Sequence, residues 1–510
     1  MILWTLILIP LLAAPVAWWS ESRSREAPRW LAAGALTMNL ILALFVVNQA
    51  ESGNGRWLVE TMEPWISQWG IGLHLGLDGV SLVLVLLTAF LGLVAIISSW
   101  TEISTRIGFF HFNLLVVLSG VFGVFLALDL FLFFVFWEVM LVPMYLLIAI
   151  WGHEQRRYAA LKFFLFTQAG SLVLFVAIVA LATLHGQHTG TPSFDYSALL
   201  ALPIAPTVAW WLMLGFFLGF VVKLPAVPFH TWLPDAHTEA PTGGSVILAG
   251  LLLKTGAYGL LRFAIPLFPE ASRDFAPVAM ALGVAGILYG GVLAFAQTDF
   301  KRLVAYSSVS HLGFALVGIY ALTGLALQGA IVQLVAHGIS TGALFMLAGA
   351  LQERLHTRDM RCMGGLWASV PRLSALALFF AVASLGLPGL ANFVGEFLVL
   401  FGAYARHPLM AAFAAAGMVI AAVYSLALLQ RTFFGPQVNN VVPDLSTVAF
   451  VALIIMGAVQ VGLGWYPGLL LATTKPAIQS LLPADHLAVR VAESGKGTAF
   501  RNAKNPVELR

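Results

Sequence analysis

Long runs of apolar residues alternate with short polar loops along almost the whole chain. Each run is about 20 residues long, the length that an α-helix needs to cross the hydrocarbon core of a bilayer. The pattern predicts an all-α, polytopic membrane protein with roughly fourteen spans. The predicted spans lie near residues 1–19, 30–50, 79–100, 109–128, 130–151, 158–184, 206–232, 243–264, 276–296, 302–321, 327–352, 372–405, 409–430 and 446–470.

Two of these spans contain helix-breaking residues. In the seventh span Lys223 is followed closely by Pro225 and Pro228, and the twelfth span is interrupted at Pro388 and Gly389. Proline removes a backbone donor and clashes with the preceding turn, so a helix breaks there. Irregular backbone at membrane depth is tolerated only where protein or water satisfies the freed groups. Because discontinuous helices present polar groups near the midplane of transporters, the breaks predict two polar sites inside the membrane.

The order of these features suggests an internal repeat. Asp129 opens the fifth span and Asp299 precedes the tenth, while Leu-Pro pairs break the seventh and the twelfth. Each copy would hold five spans, and an odd number of spans turns the second copy upside down, as in secondary transporters. The predicted divisions are N-terminal helices 1–3 (1–108), a first repeat (109–264), a second, inverted repeat (276–434), a last helix (446–470) and a polar tail (471–510).

Composition excludes several classes of function. Of the 510 residues 60% are hydrophobic and only 10% are charged, whereas soluble proteins carry about 25% charged residues. The sequence has no GxGxxG or P-loop motif and no basic patch with interleaved aromatic residues, so we expect no bound dinucleotide, ATP or nucleic acid. The single cysteine, Cys362, excludes an iron–sulfur cluster and a Cys-based zinc site. No cofactor or metal is therefore expected on this chain.

Basic residues are unequally shared between the two sides of the membrane. If the N-terminus faces the periplasm, fourteen lysines and arginines fall in cytoplasmic loops and four in outer loops. Cytoplasmic loops are enriched in Lys and Arg, so both termini are expected to be periplasmic. The basic tail runs against this orientation, but tail charges weigh less than charges in short loops. The four outer residues are Arg56, Arg262, Arg273 and Arg406.

Four charged residues lie inside predicted spans: Glu138, Lys223, Lys254 and Glu396. A charge at the bilayer centre costs about 2.5–3.5 kcal/mol on insertion scales. Because the four together would cost about as much as a whole domain's stability, we expect them to face the interior, paired or hydrated. Glu138 is a candidate counter-ion of Lys223. The alternatives are a structural carboxylate bonded to a neighbouring helix and lysines that extend to an interface.

Two histidines lie in the helices between these charges. His337 shares a polar stripe with Gln333 and Thr341, and His311 follows a group of serines. A lone buried histidine is more often structural than functional. Two of them, placed in sequence between a lysine and a glutamate, favour a hydrated proton relay instead.

Proton chemistry suits these groups. Burial disfavours the charged form of a lysine, and a nearby carboxylate opposes that effect. Moving or neutralising Glu138 would therefore release a proton from Lys223. Lys254 and the two histidines would carry it to Glu396.

Four polar residues flank the first break: His230, Asp235, His237 and Glu239. They are candidates for gate or entrance groups, and capping of the loop is an equally open interpretation. Metal binding is not expected, because no cluster of ligands has suitable spacing.

Five stretches resemble the antiporter-like membrane subunits of respiratory complex I, and the likeness covers nearly all the spans. The stretches are FVFWEVMLVPMYLLIAIWGH, VVKLPAVPFHTWLPDAHTEAPTGGSVILAGLLLKTGAYGLLRF, DFKRLVAYSSVSHLGF, HGISTGALFMLAGAL and GLPGLANFVGEFLVL. Within the family the chain resembles the middle subunit most, since Glu396 stands where sister subunits have lysine. The family's fifth-span glutamate, two lysines and relay histidines match Glu138, Lys223, Lys254, His311 and His337.

The resemblance implies a function as well as a fold. It implies fourteen helices with two inverted five-helix half-channels, and one proton translocated per catalytic cycle, driven by quinone chemistry in other subunits. FMN, iron–sulfur clusters and quinone would be bound by those other subunits. The implied partners are membrane subunits of the complex, including sister antiporter-like chains on both sides, together with lipid, protons and internal water. The implied location is the bacterial inner (cytoplasmic) membrane.

Two other functions remain open at this point. The first is the equivalent subunit of a membrane-bound hydrogenase or formate-hydrogen-lyase type complex, or of a multisubunit cation/proton antiporter. The second is a stand-alone transporter or a structural scaffold. The proteins that purify with the chain would separate the first of these from complex I, and retained pumping after Lys223→Ala would favour a scaffold.

Overall fold

The computed structural model describes residues 1–50, 57–436 and 442–482, with side chains left out at 48–50. Within that part of the chain, 13 helices are long and apolar enough to cross a membrane. Two shorter apolar helices, Pro371–Ser384 and Ala391–Tyr404, lie on either side of the second predicted break. Counted as one broken span, they bring the total to the predicted fourteen. The prediction of an all-α polytopic membrane protein is confirmed.

Among the described residues, the first half of the chain contributes thirteen α-helical segments, numbered α1 to α13. They are α1 Ile2–Ser20, α2 Ala27–Ala50, α3 Gly79–Ser98, α4 Ile107–Leu126, α5 Leu130–Val139, α6 Leu141–Trp151, α7 Arg156–Thr189, α8 Tyr196–Leu200, α9 Pro206–Lys223, α10 Trp232–Glu239, α11 Thr242–Ile247, α12 Leu253–Gly259 and α13 Ile265–Leu267.

The second half contributes nine further α-helical segments within the described residues. They are α14 Pro269–Phe295, α15 Phe300–Tyr320, α16 Gly324–Leu355, α17 Leu366–Ser369, α18 Pro371–Ser384, α19 Ala391–Tyr404, α20 Pro408–Phe433, α21 Thr447–Trp465 and α22 Gly468–Leu481.

A small β-hairpin interrupts the helical pattern between α2 and α3. Strand β1 (Val59–Ile66) pairs antiparallel with β2 (Ile71–Leu77), in a stretch that the sequence predicts only as a long loop. Leu75 of β2 also bridges to Ala127, just after the end of α4. The hairpin therefore caps one end of the helix bundle. We call this end the hairpin face, and the opposite end, where the loops 152–155 and 356–365 and the arginines Arg156, Arg358 and Arg361 lie, the basic face.

The first predicted break is present and its backbone groups are satisfied. Helix α9 ends at Lys223, and α10 begins only at Trp232. The indole Nε1 of Trp232 donates to the carbonyl oxygen of Val222 at 2.9 Å, and the amide of Ala226 donates to Val221 at 3.1 Å. These contacts supply the partners that irregular backbone needs at membrane depth.

The next span is irregular in a different way. Two π-helical segments, Leu248–Leu252 and Leu260–Ala264, separate α11, α12 and α13, and Lys254 lies between them. Such π-bulges occur frequently at functional sites. At Gly256 an added Cβ would lie 2.5 Å from the carbonyl oxygen of Phe220. Glycine is needed there because the Lys254 helix packs directly against the end of α9.

The second break lies where Pro388 and Gly389 predict it. Helix α18 ends at Ser384 and α19 begins at Ala391. Gly386 and Gly389 both adopt positive φ, +82° and +96°, a conformation that glycine adopts without a steric penalty. A Cβ on Gly386 would lie 2.9 Å from Oε2 of Glu396, so the break brings the backbone close to that carboxylate.

The inverted repeat stays a prediction, but matching features accompany it. Asp129 caps the N-terminus of α5 and bridges to Asp195 at the hairpin face. Asp299 caps the N-terminus of α15 and bridges to Asp359 at the basic face. The same local arrangement thus recurs at opposite ends of the bundle, as an inverted copy would place it.

Two details depart from the sequence-based divisions. Residues 471–481, assigned to a polar tail, continue helix α22, which packs against α3 and α16; the tail beyond residue 482 lies outside the described residues. The assignment of Arg262 to an outer loop is wrong. Arg262 lies within the π-helical segment Leu260–Ala264 and is only 1% exposed, because it forms an ion pair with the buried carboxylate of Asp78.

Candidate proton-relay site

The pair predicted at the first break is close but not in contact. Lys223 is buried, and its ammonium lies 3.7 Å from the centre of the Trp137 ring and 3.5 Å from the Trp137 carbonyl oxygen. Glu138 follows Trp137 directly and is half-buried, but within the described structure it forms no ion pair with Lys223. Its Oε1 is buried and has no hydrogen-bond partner in the described structure. A cation–π contact thus holds the lysine beside the carboxylate without joining them.

Lys254 has a direct partner on a different helix. Its Nζ lies 2.7 Å from Nδ1 of His337 in α16 and also donates to the carbonyl oxygen of Ala249. Both Lys254 and His337 have an exposed fraction of 0%. The structure therefore brings this predicted lysine and histidine into hydrogen-bond contact, although they are 83 residues apart in sequence.

The remaining predicted groups meet beside the second break. Nδ1 of His311 lies 2.9 Å from Oε1 of Glu396. The other ring nitrogen of His311 contacts the hydroxyls of Tyr424 at 2.9 Å and Ser384 at 3.0 Å. Gln333 donates its Nε2–H to the same glutamate oxygen at 3.0 Å.

The two histidines join these groups into one row. The ring centres of His311 and His337 are 5.8 Å apart. Lys254, His337, His311 and Glu396, which we call the buried series, therefore run without a large gap from the Lys254 helix to the second break. All four have an exposed fraction of 0%. The two outer pairs, Lys254 with His337 and His311 with Glu396, are at hydrogen-bond distance, and a water between the two imidazoles would complete a path for a proton.

Several polar atoms of the buried series and its surroundings have no protein partner. Within the described residues, Nε2 of His337, Oε2 of Glu396, Oγ1 of Thr341 and Nδ2 of Asn392 are buried without a hydrogen bond. Buried polar atoms nearly always have a partner, often an ordered water. These atoms are the places where water would complete a path for protons.

Two polar cavities open at the basic face, next to helix α10, which follows the first break. Two adjoining cavities of about 750 and 410 Å³ share the wall residues Glu154, Thr298, Asp299 and Arg358. Glu239 and Asp235, two of the predicted gate groups, line the smaller one.

The predicted gate groups take different places around this cavity. Asp235 pairs with Lys162 at 2.6 Å, and Arg358 lies 3.6 Å from Glu239. His237 lies farther inside the bundle. Its ring stacks on that of Phe345, with the ring centres 4.6 Å apart, and neither of its ring nitrogens has a partner in the described structure.

His237 also lies within electrostatic range of Lys254 and of the buried Lys301. The Nζ of Lys301 donates to the carbonyl oxygen of Ala240 at 2.6 Å, immediately behind the cavity wall. His237 therefore lies near a lysine of the buried series, and in sequence it is close to Glu239 of the cavity wall. The fourth candidate, His230, is buried away from this cavity's lining, with its ring edge-on to Tyr289 at 5.6 Å.

Sequence reasoning missed several of these side chains. Tyr424 and Ser384 contact His311, and nothing in their local sequence marks them. Lys301 directly precedes the tenth predicted span, at 302–321, and is one of the fourteen basic residues that the sequence assigns to cytoplasmic loops. Its burial shows that the span begins earlier than hydropathy alone indicates.

No group of three or more metal-ligating side chains occurs among the described residues.

Two discontinuous helices linked by buried ionisable side chains are the architecture of antiporter-like membrane subunits. Comparison with known proteins leads to the same class.

The chain belongs to the NADH:quinone oxidoreductase/Mrp antiporter transmembrane family, whose profile matches residues 127–459. A curated relative, NADH-quinone oxidoreductase subunit M of Pseudomonas aeruginosa, is 54% identical over 481 residues, which is 92% of this chain and 94% of the relative. The residues matched by the family profile include both breaks.

Solved structures show the same fold. A chain of respiratory complex I from Thermus thermophilus superposes with a TM-score of 0.86 at 32% identity, covering 94% of this chain and 99% of that one. A chain of an archaeal membrane-bound sulfane sulfur reductase superposes with a TM-score of 0.82 at 25% identity, covering 92% of this chain and 77% of that one. The fold is therefore shared by membrane complexes with different redox partners.

Proposed function

We propose that this chain is a proton-translocating membrane-arm subunit of an NADH:quinone oxidoreductase, equivalent to subunit M. Family membership and the close relative named subunit M support the assignment to that complex. The observation that carries the proton-translocating role is the buried series itself. Four ionisable side chains in an apolar bundle are costly. Here they form two hydrogen-bonded pairs whose histidine rings lie 5.8 Å apart, a separation that a water would bridge.

Protons would be taken up at the basic face, which corresponds to the cytoplasmic side under the predicted orientation. The polar cavities at this face support that direction. Lys223 would be loaded while Glu138 is ionised and would release its proton when the carboxylate moves or is neutralised. Lys254 would receive the proton and pass it through His337 and His311 to Glu396. The chain's own side chains hold and move the proton throughout.

The energy would come from redox chemistry in companion subunits. This chain would bind no FMN, iron–sulfur cluster or quinone of its own. Glu138 is half-buried on the surface of the isolated chain, which suits a position next to a sister antiporter-like subunit whose charges could move its ionisation. The complex would lie in a bacterial inner membrane, with the hairpin face and both termini in the periplasm.

Purification in mild detergent is the first test. NADH- and FMN-binding subunits should purify with the chain. A nickel hydrogenase, or the other chains of a cation antiporter, would replace this proposal with the corresponding complex. Proton pumping by the purified complex in liposomes, driven by NADH and a quinone, should be lost when Lys254 is changed to methionine.

A further inference from the structure

A second polar group continues from Lys254 toward the hairpin face. Tyr258 and Arg262 follow Lys254 at intervals of four residues, so the three side chains lie along one side of the same helical span. Tyr258 has an exposed fraction of 0% and Arg262 of 1%. A proton that reached Lys254 could therefore meet two routes, one through His337 and one toward Tyr258.

The hydrogen bonds of Tyr258 prevent a proton from passing along the second route. Its hydroxyl donates to the carbonyl oxygen of Phe125 at 3.0 Å. Because a phenol has one proton to donate, Ser81, at 3.0 Å, and Arg262, through Nε at 3.1 Å, must both donate to Tyr258. The proton of Tyr258 thus points at a backbone carbonyl, which cannot pass it on.

The ion pair beyond Tyr258 is equally unsuited to carrying protons. Arg262 donates from Nη2 to Oδ2 of Asp78, which is itself fully buried. Oδ1 of Asp78 accepts the backbone amides of Val80 and Ser81 at 3.1 and 2.9 Å. A guanidinium does not lose its proton in proteins, and both carboxylate oxygens of Asp78 already accept hydrogen bonds from fixed donors.

Resting on the proposed function, we propose that Asp78, Tyr258 and Arg262 form a proton seal. The seal closes the hairpin-face end of the Lys254 span and directs protons sideways to His337, so that each proton leaves only past Glu396. A fixed positive charge held in a narrow polar passage also repels protons and cations, as in other selective pores. These residues position and insulate the path and do not carry the proton themselves.

The test uses the whole complex in liposomes, and it measures the passive decay of an imposed pH gradient without NADH as well as the protons pumped per electron. The double variant Asp78→Asn/Arg262→Met removes both charges and so avoids a single unpaired buried charge. We expect it to keep electron transfer but to leak protons several-fold faster and to pump fewer per electron. The conservative variant Arg262→Lys should show the same slow passive proton leak as the unaltered complex.

A third substitution identifies the route of the leak. Adding Lys254→Met to the double variant should return the passive proton leak to the rate of the unaltered complex, because the leak passes through Lys254. The matched control Glu26→Gln/Arg29→Met removes an arginine ion pair at the basic face and should leave the passive leak unchanged. The seal proposal would be refuted if the double variant assembled and showed no faster passive proton leak. It would also be refuted if the leak persisted after Lys254→Met was added.

The same set of variants separates this proposal from the proposed function. If Lys254→Met alone left pumping intact, the translocating role of the chain would fail. If Lys254→Met stopped pumping while the double variant stayed tight and fully coupled, only the seal would fail.

Discussion

The first break and the buried series are built from the same residue types but differ in how they are connected. At the first break Lys223 rests on the Trp137 ring, and Glu138 is half-buried and forms no ion pair with it. In the buried series each group is fully buried and lies next to the following one. Under the proposed function, the separation at the first break would allow the proton path to be interrupted there, as a gated proton pump requires.

Because the groups of the two regions are connected differently, we expect the regions to have different roles in proton translocation. A continuous series conducts in either direction and cannot set direction by itself. Under the proposed function the separated pair at the first break would set the direction, because Glu138 would respond to a charge on a neighbouring subunit. The largest effects of substitution are therefore expected in the buried series, and more graded effects at the first break.

Interruption of the buried series at Lys254 should have the largest effect. Lys254→Met keeps the length of the side chain but leaves His337 without its proton donor. We expect proton translocation to fall by ~10²-fold or more, the usual effect of removing a proton-transfer group, in a complex that still assembles. Pumping in proteoliposomes checks the loss, and quantification of companion subunits checks assembly. The buried His111→Phe, in α4, is the matched control, because it lies outside both sites, and its pumping should be normal.

The first break should respond in a more graded way. Lys223→Ala and Glu138→Ala should each reduce translocation, because each removes one side of the proposed switch. The double variant should lose little more than the worse single variant if the two residues act as a unit. Additive losses in pumping rate would show that they act independently, and normal pumping in either single variant would remove the switch.

The smallest expected effect lies outside the membrane, in the hairpin. Burial opposes protonation of His74, but the carboxylates of Asp195 and Glu60 outweigh it and raise the pKa of His74 above 6.5. Burial likewise opposes ionisation of Asp195, yet its contact with His74 lowers that pKa below 3.8. The stabilisation of the hairpin by the His74 contacts is therefore fully present below pH 6.5. It is lost as the pH rises through the higher pKa that His74 has in the folded protein.

Amide hydrogen exchange in Ile71–Leu77 is the measurement for this link. After correction for intrinsic rates, exchange should quicken between mildly acidic and alkaline pH in the unaltered complex. His74→Gln should exchange faster at acidic pH and show no such transition. A hairpin that is equally protected across this range would mean that the His74 contacts do not hold it in place.

The sequence was most informative where a residue type has a single physical consequence. Prolines and Gly389 located both helix breaks. Charges inside apolar runs marked Lys254 and Glu396 of the buried series, and the two histidines between them in sequence completed it. It was silent on partners contributed by distant helices, such as Tyr424 beside His311, because a tyrosine in an apolar helix carries no sign of what it contacts.

Other features were missed for related reasons. The hairpin between α2 and α3 depends on pairing between two short strands and on the His74 contacts with Asp195, neither of which shows as a hydropathy pattern. Arg262 and Lys301 look like loop charges by position, and only the packing of other helices around them reveals that they are buried. Helix α22 is amphipathic and too short to stand out as a span.

The central claim is that protons cross this chain through the buried series, and Glu396→Gln tests it most directly. The substitution preserves size and keeps an oxygen for His311 and Gln333, but it removes the group that must accept and release the proton. The measurement is the number of protons pumped per electron pair by the complex in liposomes. We predict a clear fall in that ratio or a complete loss of pumping, while an assembled complex that pumps at the unaltered ratio would contradict the account.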